Sequence, residues 1–357
     1  VTLAKVTEQL TPAHLRGLEH LVCEYSRAAG ADKVIIAYTP DSKVVAASLV
    51  AALRGRDVSC NFLSFEPLAD GESLAFRIRE KLPTAADNVV IFTLERDTMT
   101  GTLPLKAMAT EYQGDVELVR VIGAVPEFLE LAAAVTPSQL SRYNSGLLHK
   151  LMKCTQLEIR SPAGTYLSVE LDNENYRWMS NNGVPGGGAM TVLPAGEINT
   201  YPRCLSGTFI ADGAINVSRQ VDFDVRLSEH PVTCYIQNNV MTEFTCSDSL
   251  ISEFLDDALG RPFARNVGEL GFGTNIGVRR FISLNSHINE RHPGVHLGFG
   301  EHVQPGKVAY TADIHIDLIS PSSYLVLDDE EIFFDSLDES TLPHPTGLRS
   351  EDVDGGD

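Results

Sequence analysis

Glu269, Glu290, His292, His296, Glu301, His302, His315 and Asp317 crowd one stretch of the chain, several of them within short apolar segments flanked by glycine. The segments are V-G-E-L-G-F-G-T-N (267–275), P-G-V-H-L-G-F-G (293–300) and A-D-I-H-I-D-L-I (312–319), and each reads as a buried strand. In the last, strand alternation sets His315 and Asp317 on one face and Ile314, Ile316 and Leu318 on the other. Two such groups on an inward face need a shared partner, because a buried carboxylate without one costs several kcal/mol. A divalent cation supplies that partner, so the pattern predicts a metal site. One more carboxylate, Glu197, lies upstream in L-P-A-G-E-I-N-T-Y-P (193–202), where Pro194, Gly196 and Pro202 hold it in a fixed orientation.

These segments need a scaffold, and the texture of the chain changes once, near residue 150. Before it, K-V-I-I-A-Y (33–38), C-N-F-L-S-F (60–65), N-V-V-I-F-T-L (88–94) and V-E-L-V-R-V-I (116–122) alternate with helix-like stretches. Strand and helix in turn predict a parallel sheet with helices on its faces. No G-x-G-x-x-G or G-x-x-x-x-G-K-[ST] follows any of these strands, which removes the usual phosphate cradle of a nucleotide site. After residue 150 the strands predicted are 157–160 and 166–171, joined as a hairpin by S-P-A-G-T, then 207–217, 233–237, 241–245 and 324–327. One helix is predicted over 249–259, closed by Gly260 and then Pro262. The stretch N-N-G-V-P-G-G-G (181–188) is predicted to be a loop that simply turns. The predicted fold is an α/β N-terminal domain with a parallel sheet (1–150), followed by a β-rich α+β metal-binding domain (151–336) and an acidic disordered tail (337–357).

Composition narrows the partners. The 357 residues carry a formal charge of -20, which argues against nucleic acid and against an anionic membrane surface, since both are bound through Lys and Arg. No run approaches the length and apolarity of a membrane span, and the first residues lack the shape of a signal peptide, so a soluble, cytoplasmic protein is expected. Cys23, Cys60, Cys154, Cys204, Cys234 and Cys246 are widely spaced with no C-x-x-C, as expected of reduced thiols. There is no G-x-S-x-G elbow and no internal repeat.

Taken in order, Glu197, Glu269, His296 and the pair His315 and Asp317 fall in P-A-G-E-I-N-T-Y-P, G-E-L-G-F-G-T-N, G-V-H-L-G-F-G and H-I-D. This succession resembles the aminopeptidase T / PepS family of metallopeptidases, whose segments read P-x-G-E-[VI]-x-T-x-P, G-E-x-x-x-G-T-N, G-T-x-H-x-A-x-G and H-x-D. The resemblance covers most of the chain in outline, with residue-level support between Pro194 and Leu318. It implies a homodimer and two adjacent divalent ions, Zn²⁺, Co²⁺ or Mn²⁺, held by Glu197, Glu269, His296, His315 and Asp317. It further implies a metal-dependent aminopeptidase-like hydrolase acting on a small peptide or amino-acid amide, with Glu197 or Glu269 also taking part in catalysis by proton transfer. Paired ions can clamp a scissile carbonyl, lower the pKa of a water and anchor a free α-amino group. The chain departs from that family at Val303, where members carry a tyrosine ligand. His302, Tyr310 or a weak or absent second metal are the alternatives this leaves. The family's D-E-K before its histidine is N-E-R here, at 289–291.

Two other readings use the same residues. His296, His315 and Asp317 match the two-histidine, one-carboxylate set of a single Fe(II) oxygenase centre. Chain length and domain order are similar to those of the 2,5-dihydroxypyridine 5,6-dioxygenases, which carry a histidine in H-I-G-W-G at the position of Glu269. The third reading is a catalytically weak or inactive peptide-binding homologue in a biosynthetic pathway, motivated by the missing tyrosine. Glu290, His292, Glu301 and His302 are expected at the pocket edge, solvated rather than ligating, and His287 is no better placed.

Overall fold

The computed structural model describes residues 10–67, 70–84, 87–96, 100–101, 103–185, 190–328, 330–336 and 339–345. The chain forms two compact units, Val1–Ser138 with Gly183–Ala195, and Gln139–Asn182 with Gly196–Asp357.

In the first unit β1 (Lys33–Tyr38), β2 (Ser59–Ser64), β3 (Asn88–Glu95) and β4 (Asp115–Ile122) alternate with the helices Pro12–Cys23, Lys43–Arg54, Gly71–Arg79 and Leu103–Glu111. All pair in parallel. The β-branched run of β1 suits a strand covered on both faces, and Val34, Ile35, Ile36 and Ala37 are fully buried. The helix Lys43–Arg54 buries Val45, Ala46, Leu49, Val50 and Leu53, a single stripe at helical spacing. This is the α/β half expected from the sequence.

The second unit begins at Gln139 within the helix Pro137–Leu151, and the hairpin β5 (Gln156–Arg160) and β6 (Tyr166–Glu170) and then β7 (Met179–Asn181) follow. The chain then contributes β8 (Met190–Leu193) to the first unit, in parallel with β4, so the sheet order there is β2-β1-β3-β4-β8. Its M-T-V-L sequence is short and buried, suited to completing an existing edge; it lies beyond the boundary expected near residue 150.

Back in the second unit come β9 (Glu197–Thr200), β10 (Cys204–Ala211), β11 (Ile215–Val217), β12 (Val232–Gln237) and β13 (Val240–Thr245). The helix Ser249–Leu259 is capped by Asp248, whose side chain accepts from Ile251 N at 3.0 Å, and it stops at Gly260 as predicted. The remaining strands are β14 (Val267–Gly273), β15 (Gly294–Gly300), β16 (His315–Ser320), β17 (Tyr324–Leu327) and β18 (Glu330–Ile332).

These strands make a seven-stranded sheet, β13-β12-β10-β6-β5-β17-β18, and a six-stranded sheet, β11-β16-β15-β14-β9-β7. One core holds Leu157, Leu167, Leu205 and Phe209 of the former with Leu270, Leu297, Phe299 and Leu318 of the latter. Each such side chain contributes about 1.5–3 kcal/mol by leaving water.

One expectation needs correction. The strand predicted over 207–217 is two strands in different sheets, because the chain turns a corner at Gly213. Its amide donates to Ile319 O at 2.9 Å, and a Cβ there would lie 2.6 Å from the Phe281 ring. Within the predicted tail, residues 339–345 make side-chain contacts. Arg142 Nε donates to Glu339 at 2.6 Å, Ser145 Oγ to Leu342 O at 3.0 Å, and His344 pairs with Ser180 Oγ at 2.9 Å. Residues 337–338 and 346–357 of the predicted tail, and 186–188 of the predicted loop, lie outside the described residues. Among the described residues no helix is long and apolar enough to cross a membrane. All six cysteines are free.

Candidate metal centre

The six-stranded sheet sorts its residues by strand alternation. Ile198, Leu270, Phe272, Val295, Leu297, Phe299, Ile316 and Leu318 enter the core. The intervening positions are Glu197 on β9, Glu269, Gly271 and Gly273 on β14, His296, Gly298 and Gly300 on β15, and His315 and Asp317 on β16. All five predicted ligands therefore share the other face of one sheet.

Register then decides which of them meet. Asn216, Asp317, Gly298 and Glu269 form one row across β11, β16, β15 and β14. His296 belongs to the next row, between Ile319 and Gly271. Glycine alternates with functional residues because the larger side chains lie over the neighbouring strand. A Cβ on Gly271 would sit 1.9 Å from His296 Nε2, and one on Gly298 would sit 2.6 Å from His315 Cε1 and 2.8 Å from Glu269 Cβ. Gly196 serves the same end differently. Its φ of +105° and its approach to Asn275, 2.5 Å from a would-be Cβ, admit only glycine immediately before Glu197.

Two groups that could hold a metal ion result, Glu197–Glu269–His296 and Glu269–His315–Asp317, each with its donor atoms within 4.8 Å of one another. Glu269 is common to both. Its Oε1 is 3.3 Å from His296 Nε2 and its Oε2 is 3.9 Å from His315 Nε2. His296 Nε2 also reaches Glu197 Oε1 at 2.9 Å, and His315 Nε2 reaches Asp317 Oδ1 at 2.9 Å. The oxygenase set of His296, His315 and Asp317 is not what converges; Glu269 takes the place of His296, which the register puts one row away.

The two imidazoles are supported unequally. His315 Nδ1 donates to Glu301 O at 3.0 Å, which fixes the ring and aims Nε2 at the carboxylates. His296 Nδ1 is buried with no hydrogen-bond partner among the described residues. His315 keeps 22% of its side-chain exposure and the other four predicted ligands are buried.

Three residues that the sequence reading did not place among the ligands complete the site. Arg291 is 1% exposed, and its Nη1 donates to Glu197 Oε2 and, at 2.9 Å, to Glu290 Oε2. Asn216 Nδ2 donates to Asp317 Oδ2 at 3.3 Å and to Glu290 Oε1. Glu290, expected to be solvated, is buried. Burial, and next the Asp317 charge, push its carboxyl well above the usual range. Burial would raise Asp317 as well, but His315 beside it outweighs that and holds the carboxyl far below its ordinary value. Burial works against charge on His296 and His315 too. Glu197 and Glu269 overcome it at the first, Asp317 and Glu269 at the second, and both imidazoles are raised well above their ordinary value.

The expected substitutes for the family tyrosine go elsewhere. His302 Nε2 donates to Tyr310 O at 2.7 Å and its Nδ1 accepts from Gln304 N at 3.1 Å, so both ring nitrogens are committed. The Tyr310 ring stacks on Phe263 with centroids 5.3 Å apart. His292 lies on Phe281 at 4.4 Å and donates to Pro293 O at 2.9 Å. Glu301 acts through its backbone carbonyl, and its side chain is exposed.

The family described as crocagin biosynthetic protein CgnE/B matches residues 191–324, less than half of the chain but the part that contains all five predicted ligands. No curated protein matches. Among solved structures, the 2,5-dihydroxypyridine dioxygenase of Pseudomonas putida KT2440 is similar, with a TM-score of 0.60 and 14% identity over 98% of this chain and 100% of that one. The chain thus shares that fold, and its acidic and histidine groups form sets that could hold a metal ion. The resemblance to the dioxygenases extends to the fold; neither match names a peptidase.

Proposed function

We propose that this chain is a biosynthetic protein that works through a single divalent metal centre in oxygenase-type chemistry, acting on a small-molecule or short-peptide substrate. The observation that carries the reading is the convergence of Glu269, His315 and Asp317, with the far nitrogen of His315 held by Glu301 O. A mixed oxygen and nitrogen set of this kind suits Fe(II), Mn²⁺ or Zn²⁺. The shared fold with a dioxygenase and the match to a biosynthetic family support it.

Glu269, His315 and Asp317 would hold such an ion, which would supply Lewis-acid or redox chemistry toward a substrate oxygen or dioxygen. The protein's part is to hold Glu269, His315 and Asp317 in place. Asn216 orients Asp317, Glu301 O orients His315, and His296 donates to Glu269. Glu290 accepts from both Asn216 and Arg291 and so ties the support of Asp317 to that of Glu197. The partial exposure of His315 supports substrate approach from its side.

A second reading, a two-ion hydrolase of the aminopeptidase type, is favoured by the sharing of Glu269 between both ligand groups. Elemental analysis of protein purified without chelator, together with oxygen uptake and aminoacyl-amide hydrolysis, separates them. A single iron with substrate-dependent oxygen uptake supports the oxygenase reading. Two zinc or cobalt ions with amide hydrolysis would replace it by the hydrolase. No metal at any loading would leave peptide binding without turnover.

A further inference from the structure

Arg291 brings a permanent positive charge into the centre. A guanidinium stays protonated in proteins, so it cannot yield to a metal ion by losing a proton as a histidine does. Its Nη1 donates to Glu197 Oε2 and to Glu290 Oε2, and Arg291 and Glu197 are almost wholly removed from solvent, at 1% and 2% side-chain exposure. One oxygen of Glu197 is therefore already occupied by a cation.

The histidines point the same way. A neutral imidazole that gives Nε2 to a metal carries its proton on Nδ1, and that proton needs an acceptor when buried. His315 has one in Glu301 O. His296 has none, because its Nδ1 is buried without a partner among the described residues. With the proton on Nε2 instead, His296 donates to Glu197 at 2.9 Å and to Glu269 at 3.3 Å, the contacts the structure contains.

We infer that Arg291 stands where a second cation would otherwise be held, so that the Glu197–Glu269–His296 group is closed to metal and a single ion binds at Glu269, His315 and Asp317. His296 and Glu197 are then positioning residues that aim Glu269. This inference rests on the metal-centre reading above and deepens it by setting the stoichiometry.

The test is calorimetric titration of Zn²⁺ into the chelator-stripped full chain, with metal content after desalting as a second readout. It compares the wild type with Arg291→Ala, Glu197→Gln and Asp317→Ala, each checked for fold by circular dichroism. The expected result is one ion in the wild type, two in Arg291→Ala and none in Asp317→Ala. Glu197→Gln should keep its ion, weakened by less than the roughly tenfold at which loss of an outer partner begins to tell. Two ions in the wild type would overturn the inference and leave the metal centre standing; none would overturn both. One ion in a folded Arg291→Ala would also overturn it. Should Arg291→Ala fail to fold, Glu197→Gln decides, since loss of the ion there would make Glu197 a ligand.

Discussion

The imidazole of His296 lies directly over Gly271, where a side-chain Cβ would come within 1.9 Å of its Nε2. The two residues face each other across β15 and β14, and Gly271 lacks a side chain so that the ring can reach Glu197 and Glu269. Gly271→Ala should therefore displace His296. The expected cost is about 1–3 kcal/mol of overpacking in a well-filled site. Urea denaturation measures it, and an unchanged midpoint would show that the ring has another resting place.

Asp317 carries the centre more directly. Asp317→Ala removes one ligand and the acceptor of His315 while leaving the core face of β16, Ile316 and Leu318, intact. Metal affinity should fall by more than the roughly 10–100-fold typical of losing an outer partner, with a far-ultraviolet spectrum like that of the wild type. Unchanged metal content would remove Asp317 from the ligands.

Asn216 tests the supporting shell. Its amide joins Asp317 to Glu290, and Asn216→Leu leaves buried acceptors without their donor. A loss of about 1–3 kcal/mol in stability is expected, with metal affinity weakened roughly 10–100-fold. Paired denaturation and titration curves would show it. A purely structural role would move the first and spare the second.

Protons and metal should compete. His315 is raised well above its ordinary value, since Asp317 and Glu269 outweigh the effect of its burial. A group raised in the folded state contributes stability fully below its unfolded pKa, about 6.5 for histidine, and that contribution fades as pH climbs through the raised value. The stripped protein should lose thermal stability between neutral and alkaline pH. Metal needs neutral imidazole, so its affinity should rise over the same window, with proton release on binding. Melting curves with and without metal, from pH 6 upward, should therefore diverge; parallel curves would contradict the assignment.

His302 provides the control. Both its ring nitrogens are engaged by Tyr310 O and Gln304 N, so His302→Phe should leave metal stoichiometry and affinity as they are. A lost ion would restore it as the substitute for the family tyrosine.

The alternation in I-H-I-D-L and the glycine-flanked E-L-G and V-H-L-G segments announce strands with one apolar and one functional face, and the structure has that face. The parallel sheet was equally legible, since β-branched runs alternating with helical stretches admit few other arrangements. The grouping of ligands was less so. His296 and His315 look equivalent as isolated motifs, yet register sets Asp317 opposite Gly298 and His296 opposite Ile319, and so brings Glu269 to His315 in place of His296. A single-residue shift between strands would change those partners without altering any motif.

By itself, then, the sequence determined the strand faces, the fold class and the five acids and imidazoles that share one surface, because period and residue type are local properties. Only tertiary structure decided that Asn216, Glu290 and Arg291 join them, that His302 and Tyr310 do not, and that residues 339–345 fold back. Those outcomes depend on contacts between distant segments: the buried charge of Arg291 finds Glu197 across 94 residues of chain, and a local pattern has no means of recording that meeting.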